Sequence, residues 1–222
     1  MTFDAILFDC DGVLVDSEPI TNGVLCEMLN EAGWALPRAE CMRIFIGKTV
    51  RSEAARIARE TGRPFTEEWL AQFYARRDAR LRRELQAIDG ALGAVRAVHA
   101  RLDGRIACAS GADRAKVVMQ LEMAGMAPYF GARVFSGHDL PATKPAPDVY
   151  LAAAAAVGVA PARCLVVEDT VTGVTAGVAA GATVLGFSPE QPTGHAPAEA
   201  LLAAGAVRVL RHMSELPAWV GG

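Results

Sequence analysis

Six short apolar runs with helical patterns between them constrain this chain more than any other feature. Residues 5–8, 105–109, 134–135, 164–167, 183–187 and 207–210 are rich in β-formers and too short for helices. Helical periodicity falls near 91–101, 113–124, 147–157, 171–180 and 196–204. Strand alternating with helix predicts an α/β fold, a parallel sheet with helices on both faces.

Residues 17–87 break the rhythm. Ile20, Val24, Leu25, Met28 and Leu29 recur at helical spacing, and Thr49 and Thr66 read as N-caps. Thr66 opens a helix through Trp69, Phe73, Leu81 and Leu85. A helical insert over 17–87 is therefore expected within a core of 1–16 plus 88–222. Residues 17–86 carry a net charge of +2 and the remainder −5. A total of −3 makes nucleic acid an unexpected partner. Five scattered cysteines without CxxC spacing read as reduced, buried thiols of a cytoplasmic protein. No charge occurs from Thr170 to Pro189, but four glycines, four threonines and the flanking Glu168-Asp169 argue against a membrane span. The acidic start of the chain predicts no signal peptide.

Four polar features follow predicted strands, the place where an open parallel sheet binds ligands. In Phe8-Asp9-Cys10-Asp11-Gly12, carboxylates at i and i+2 of an extended segment share a direction, though a solvated Asp-Gly turn has the same letters. Glu168-Asp169 ends a buried run, where oxygen ligands suit Mg²⁺ and acids also suit a helix N-terminus. Ser110-Gly111 precedes a helix, as an anion site or as an ordinary cap. Lys144, in Thr143-Lys144-Pro145-Ala146-Pro147-Asp148, is a cation on a stiff loop, whether solvated or set against carboxylates.

Taken together and in order, these motifs resemble the haloacid dehalogenase-like (HAD) hydrolase superfamily, in the subfamily of β-phosphoglucomutase and phosphoglycolate phosphatase. The resemblance spans essentially the whole chain, including Gly173 and Ala176-Gly177 after the fourth motif. It implies a Rossmann-like parallel-sheet core with an inserted α-helical cap, acting on a small phosphorylated metabolite as a Mg²⁺-dependent phosphatase. Asp9 would be the nucleophile, forming an aspartyl-phosphate, and Asp11 the acid and then the base. Ser110 and the Gly111 N–H would hold the phosphoryl group, with Lys144 offsetting charge. Asp9, Asp169 and the Asp11 carbonyl would hold Mg²⁺, with Glu168 binding directly or through water. Gly47, Lys48 and Arg51 match the family's substrate-specificity loop. Cap closure would hinge near residues 15–17 and 86–88, in a monomer or small homo-oligomer with no nucleic-acid or membrane partner.

Departures narrow the reaction. The dehalogenase branch lacks the second acid and the phosphonate-cleaving branch replaces it with Ala, whereas Asp11 is present. Mutases carry a hinge His where Thr21 stands, and the common Ser-Asn-Ser of the second motif is Ser110-Gly111-Ala112. A sugar-phosphate mutase and a non-catalytic phospholigand-binding protein are the alternatives. Gly47-Lys48-Thr49 resembles a P-loop end, but lacks the Gly at 42 and the preceding strand. Gly173, Gly177 and Gly181 read as close helix–sheet packing, Arg76-Arg77-Arg80-Arg82-Arg83 as a solvated helix face, and His195 as exposed loop.

Overall fold

The structure is a computed structural model that describes residues 2–46, 48–191 and 194–220; Gly47 lies outside the described residues. The chain divides into two compact units, Met1–Asp16 with Gln86–Gly222, and Ser17–Leu85. In chain order, β1 (Ala5–Phe8) opens the first unit. The second holds α1 (Glu18–Glu31), α2 (Arg38–Phe45), α3 (Ala54–Thr61) and α4 (Glu67–Glu84). The first unit resumes with α5 (Ala91–Arg101), β2 (Ile106–Ser110), α6 (Arg114–Met123), α7 (Ala127–Phe130) and β3 (Val134–Ser136). It ends with α8 (Asp148–Ala156), β4 (Cys164–Glu168), α9 (Val171–Ala179), β5 (Thr183–Phe187), α10 (Ala198–Ala203) and β6 (Arg208–Leu210).

The six strands form one parallel sheet in the order β3-β2-β1-β4-β5-β6. From β1 the chain moves outward to β3, then crosses to β4 and moves outward the other way. The reversal therefore lies between β1 and β4, where an open α/β sheet leaves a crevice at its carboxyl ends. Phe8 pairs with Val167 on one side and Cys108 on the other, so Asp9 and the ends of β2 and β4 are brought level. Every residue of β1, β2 and β4 is buried, which is why these strands read as unbroken apolar runs rather than as alternation. Tyr150, Val174 and Leu201 pack with Leu7, Val166 and Val184 in one cluster. All five cysteines are free and buried.

The elements follow the predicted alternation, with local differences. The α7 turn was not foreseen, because its four residues, Ala-Pro-Tyr-Phe, are too few to show a helical period. Pro197 precedes the start of α10, making that helix shorter than its pattern suggested. The α6 cap is Asp113, whose side chain accepts the Lys116 N–H, so Ser110 is not an ordinary helix cap. Among the glycines of α9, Gly177 does pack closely, since a Cβ there would lie 2.7 Å from Val184. Gly181 does not, and instead follows α9 with φ +82° and open space where a Cβ would be.

In the second unit, Val24, Leu25, Met28 and Leu29 of α1 share a core with Leu70 and Phe73 of α4. Thr66 caps α4 by accepting the Trp69 N–H at 3.2 Å. Thr49 is not a helix cap: its hydroxyl accepts the Ser52 N–H at 3.1 Å, but the N-cap of the short 3-10 turn there is Val50, and α3 begins later, at Ala54. The arginine cluster is not a purely solvated face. Arg76 and Arg80 grip Glu31 and Glu27 of α1 at 2.7–2.8 Å, while Arg77 is buried over the Tyr74 ring beside Asp78. No described helix is long and apolar enough to cross a membrane.

Where the first unit opens and resumes, the chain is stitched to itself. The Asp16 N–H donates to Gln86 O and the Ile88 N–H to Leu14 O, both at 3.0 Å, and Val15 bridges Ala87. Val13, Leu14 and Val15 are wholly buried there.

Candidate active site

Asp9 follows β1, Glu168 ends β4 and Asp169 follows it; these two strands flank the reversal. One oxygen from each of these buried carboxylates lies within 4.8 Å of the others. Lys144, on the loop before α8, reaches Asp9 Oδ1 and Glu168 Oε1, each at 2.6 Å, and the Ala109 carbonyl at 2.9 Å. The Lys144–Pro145 peptide is cis. The lysine also stands 4.8 Å from the centre of the Tyr150 ring, and the Tyr150 hydroxyl donates to Glu168 Oε1 at 2.8 Å. Three motifs distant in sequence are thus tied through one ammonium group.

Glu168 is the most fully engaged of the acids. Its Oε2 accepts the Asp169 N–H, the Thr170 N–H and the Thr170 hydroxyl at 3.0–3.1 Å. Thr170 Oγ1 in turn accepts the Gly173 N–H, capping α9. A Cβ at Gly173 would fall 1.8 Å from Glu168 Oε1. Moving that carboxylate aside would break its contacts with Lys144 and Tyr150. Gly173→Ala is therefore expected to destabilise the protein by about 1–3 kcal/mol in chemical denaturation, with a matching loss of turnover. Gly12 is similarly constrained: φ is +81°, and a Cβ there would lie 2.2 Å from Asp169 Oδ2.

Electrostatics set the acids apart. Burial, reinforced by Glu168 and Asp11, outweighs Lys144 and raises the Asp9 carboxyl to about 7. Burial also acts on Glu168, but Lys144, the Thr170 N–H and the Tyr150 hydroxyl overcome it and hold that carboxyl below its usual range. Burial opposes the charge of Lys144, yet Asp9 and Glu168 keep the ammonium protonated far above the ordinary lysine value.

Asp11 is not among the three clustered carboxylates. Its Oδ1 accepts from Lys116 Nζ at 2.7 Å and from Gln120 Nε2 at 2.9 Å. Counting Asp9, Asp11, Glu168 and Asp169 against Lys116 and Lys144, the acids outnumber the bases by two. Hard carboxylate oxygens with this excess of acids fit a divalent cation that prefers oxygen. Ser110 is buried at the end of β2, its Oγ accepting the Ala112 N–H at 3.0 Å and keeping its own O–H to give. Gly111 follows it, with Thr143 Oγ1 3.8 Å from where its Cβ would be.

Within the helical unit, Lys48 pairs with Glu53 at 3.2 Å and Arg51 grips Glu67 through both nitrogens at 2.6 and 2.7 Å. His195 corrects an expectation. Rather than standing exposed, it is half-buried against Phe187 and its Nε2 is 2.8 Å from the Gly12 carbonyl. The next residue, Ala196, donates its N–H to the Asp169 carbonyl at 3.0 Å, so this loop braces both acidic turns. Lys116, Gln120 and Tyr150 were also unmarked in the sequence. Only Lys116 and Gln120 left a trace there, as polar residues four apart among Val117, Val118, Met119 and Leu121.

Comparison with known proteins shows the family and the fold. Residues 3–181 match the family model described as haloacid dehalogenase-like hydrolase. A 6-phosphogluconate phosphatase of Escherichia coli is 30% identical over 215 residues, covering 96% of this chain and 93% of the relative. A conserved haloacid dehalogenase-like protein of unknown function from Agrobacterium tumefaciens superposes with a TM-score of 0.81 at 37% identity, covering 97% of this chain and 96% of the other. A HAD-family hydrolase from Deinococcus radiodurans, solved with bound phosphate and sodium, gives 0.78 at 36% identity, covering 96% and 93%.

Proposed function

We propose, for a chain that belongs to the haloacid dehalogenase-like hydrolases and is a phosphoric monoester hydrolase, that its substrate is a small phosphorylated sugar or sugar acid and its cofactor Mg²⁺. The observation that carries this reading is the meeting of Asp9, Glu168 and Asp169 within 4.8 Å, with Lys144 tied to two of them. A relative named for 6-phosphogluconate supports a phosphorylated sugar acid.

Asp9, Asp169 and the Asp11 carbonyl would hold the cation, and Glu168, with both oxygens already engaged, would act through Lys144 and the turn before α9. Mg²⁺, when bound there, would supply positive charge that offsets the negative charge of the phosphoryl group. An Asp9 carboxylate oxygen bonds to phosphorus as the ester P–O bond breaks, and the leaving oxygen takes a proton from Asp11. Water then attacks the same phosphorus while the Asp11 carboxylate takes its proton, the bond to Asp9 breaks, and inorganic phosphate leaves. The Ser110 hydroxyl and the Gly111 N–H hold the transferring group, and Lys144 fixes Asp9 Oδ1. Lys48 and Arg51 belong to this proposal as substrate-reading groups that exchange Glu53 and Glu67 for substrate oxygens.

The test is phosphate release from 6-phosphogluconate, hexose 6-phosphates and phosphoglycolate, with Mg²⁺ and after chelation. Activity is expected on at least one sugar-derived ester and is expected to vanish with the metal. Metal binding below about pH 7 should also release a proton from Asp9, read as buffer-dependent heat in calorimetry. Release that survives chelation would remove Mg²⁺ from the reaction. An isomeric sugar phosphate in place of free phosphate would make the protein a mutase.

A further inference from the structure

Two buried polar side chains have no part in the reaction just described. Lys116 is 5% exposed and Gln120 is wholly buried, on the same helix as the buried Val117 and Leu121. An ammonium and an amide in such surroundings cost several kcal/mol unless each is satisfied. One turn apart on α6, they converge on a single atom: Asp11 Oδ1 receives Lys116 Nζ at 2.7 Å and Gln120 Nε2 at 2.9 Å. The Gln120 amide is itself oriented from the other end, where Oε1 accepts the Cys10 thiol at 3.6 Å. An apolar pair could fill these positions in the helix. The polar pair is intelligible through Asp11.

We infer that Lys116 and Gln120 are positioning residues for Asp11, holding Oδ1 so that the carboxyl group meets the leaving oxygen in one orientation. The inference rests on the proposed reaction, in which Asp11 protonates that oxygen. A carboxyl gripped by two donors on one oxygen has lost most of its freedom to rotate, and misplacement of a catalytic group by about 1 Å can cost about 10²-fold. Neither residue needs to touch substrate.

The leaving group supplies a test that a merely structural role would not pass. Departure of a sugar alkoxide needs a proton, whereas 4-nitrophenolate leaves without one. The ratio kcat/KM stops at the first irreversible step, which is leaving-group departure, and so omits the later hydrolysis. Gln120→Leu and Lys116→Met are each expected to lower kcat/KM for the best sugar phosphate by about 10- to 100-fold. On 4-nitrophenyl phosphate the loss should stay within about threefold. Lys116→Arg, which restores a donor and the charge, should recover part of the loss on the sugar ester alone. Equal losses on the two esters, or none, would overturn the positioning role. If Lys116→Met does not fold, Gln120→Leu carries the same comparison, and its result decides either way. Asp9→Asn keeps the two questions apart. If it remains active, the phosphatase mechanism falls and takes this inference with it. If it is inactive while the ester comparison fails, only the positioning role falls.

Discussion

Asp9→Asn is expected to lower turnover by at least about 10⁴-fold while leaving the protein folded. An amide of the same shape cannot attack phosphorus, and the other carboxylate held by Lys144, Glu168, has both oxygens engaged by Tyr150, Asp169 and Thr170. Stability should move the other way. The folded protein raises the Asp9 carboxyl from 3.8 to about 7, so the ionised form is disfavoured in the fold relative to the unfolded chain. That penalty is absent below the unfolded value, grows as pH rises between the two, and is fully present above about 7. Metal-free Asp9→Asn should accordingly melt at or above the parent temperature near pH 8, with the advantage fading towards pH 4. Thermal melts of both proteins across that range, in chelator, read the effect directly. A variant that melts below the parent at pH 8 would show that the tie to Lys144 outweighs the burial of the charge.

Lys144→Met is expected to be the most destabilising single change in the site, at about 3–5 kcal/mol. Methionine keeps the aliphatic stem and removes only the ammonium group. What remains is a set of acceptors without their donor, the Asp9 and Glu168 carboxylates and the Ala109 carbonyl. An ion pair in a protein interior gives little when formed, but removing one partner strands the other. The Glu168 carboxyl, now held low chiefly by Lys144 against burial, should rise once the lysine is gone. Urea denaturation measures the loss, and adding Glu168→Gln to the variant should recover part of it by removing one stranded charge. A loss within about 0.5 kcal/mol would mean that the site relaxes enough to admit water.

Much of this was legible because the sheet is parallel and buried. Continuous apolar runs such as Ala5–Phe8 and residues 164–167 mark such strands, and a polar residue ending one has few places to go except the carboxyl edge. That logic reaches Asp9, Ser110, Glu168 and Asp169 from letters alone. It does not reach His195, which itself reads as loop and whose contact with Gly12 depends on how the chain after β5 folds back. Nor does it separate Arg77 from Arg76 and Arg80, since a run of arginines on one helix conceals which of them turns inward. Tyr150 looked like any core aromatic; only the placement of its hydroxyl against Glu168 sets it apart.

The stitching of Asp16 to Gln86, of Leu14 to Ile88 and of Val15 to Ala87 has an evolutionary consequence. The sheet closes its own backbone account on either side of Ser17–Leu85 and makes no pairing demand on what lies between. A lineage could exchange, lengthen or recolour that excursion without disturbing the register that sets Asp9 beside Glu168. Under the proposed function, chemistry would be inherited with the strands, and taste for one metabolite or another acquired by changing the passage between two stitches.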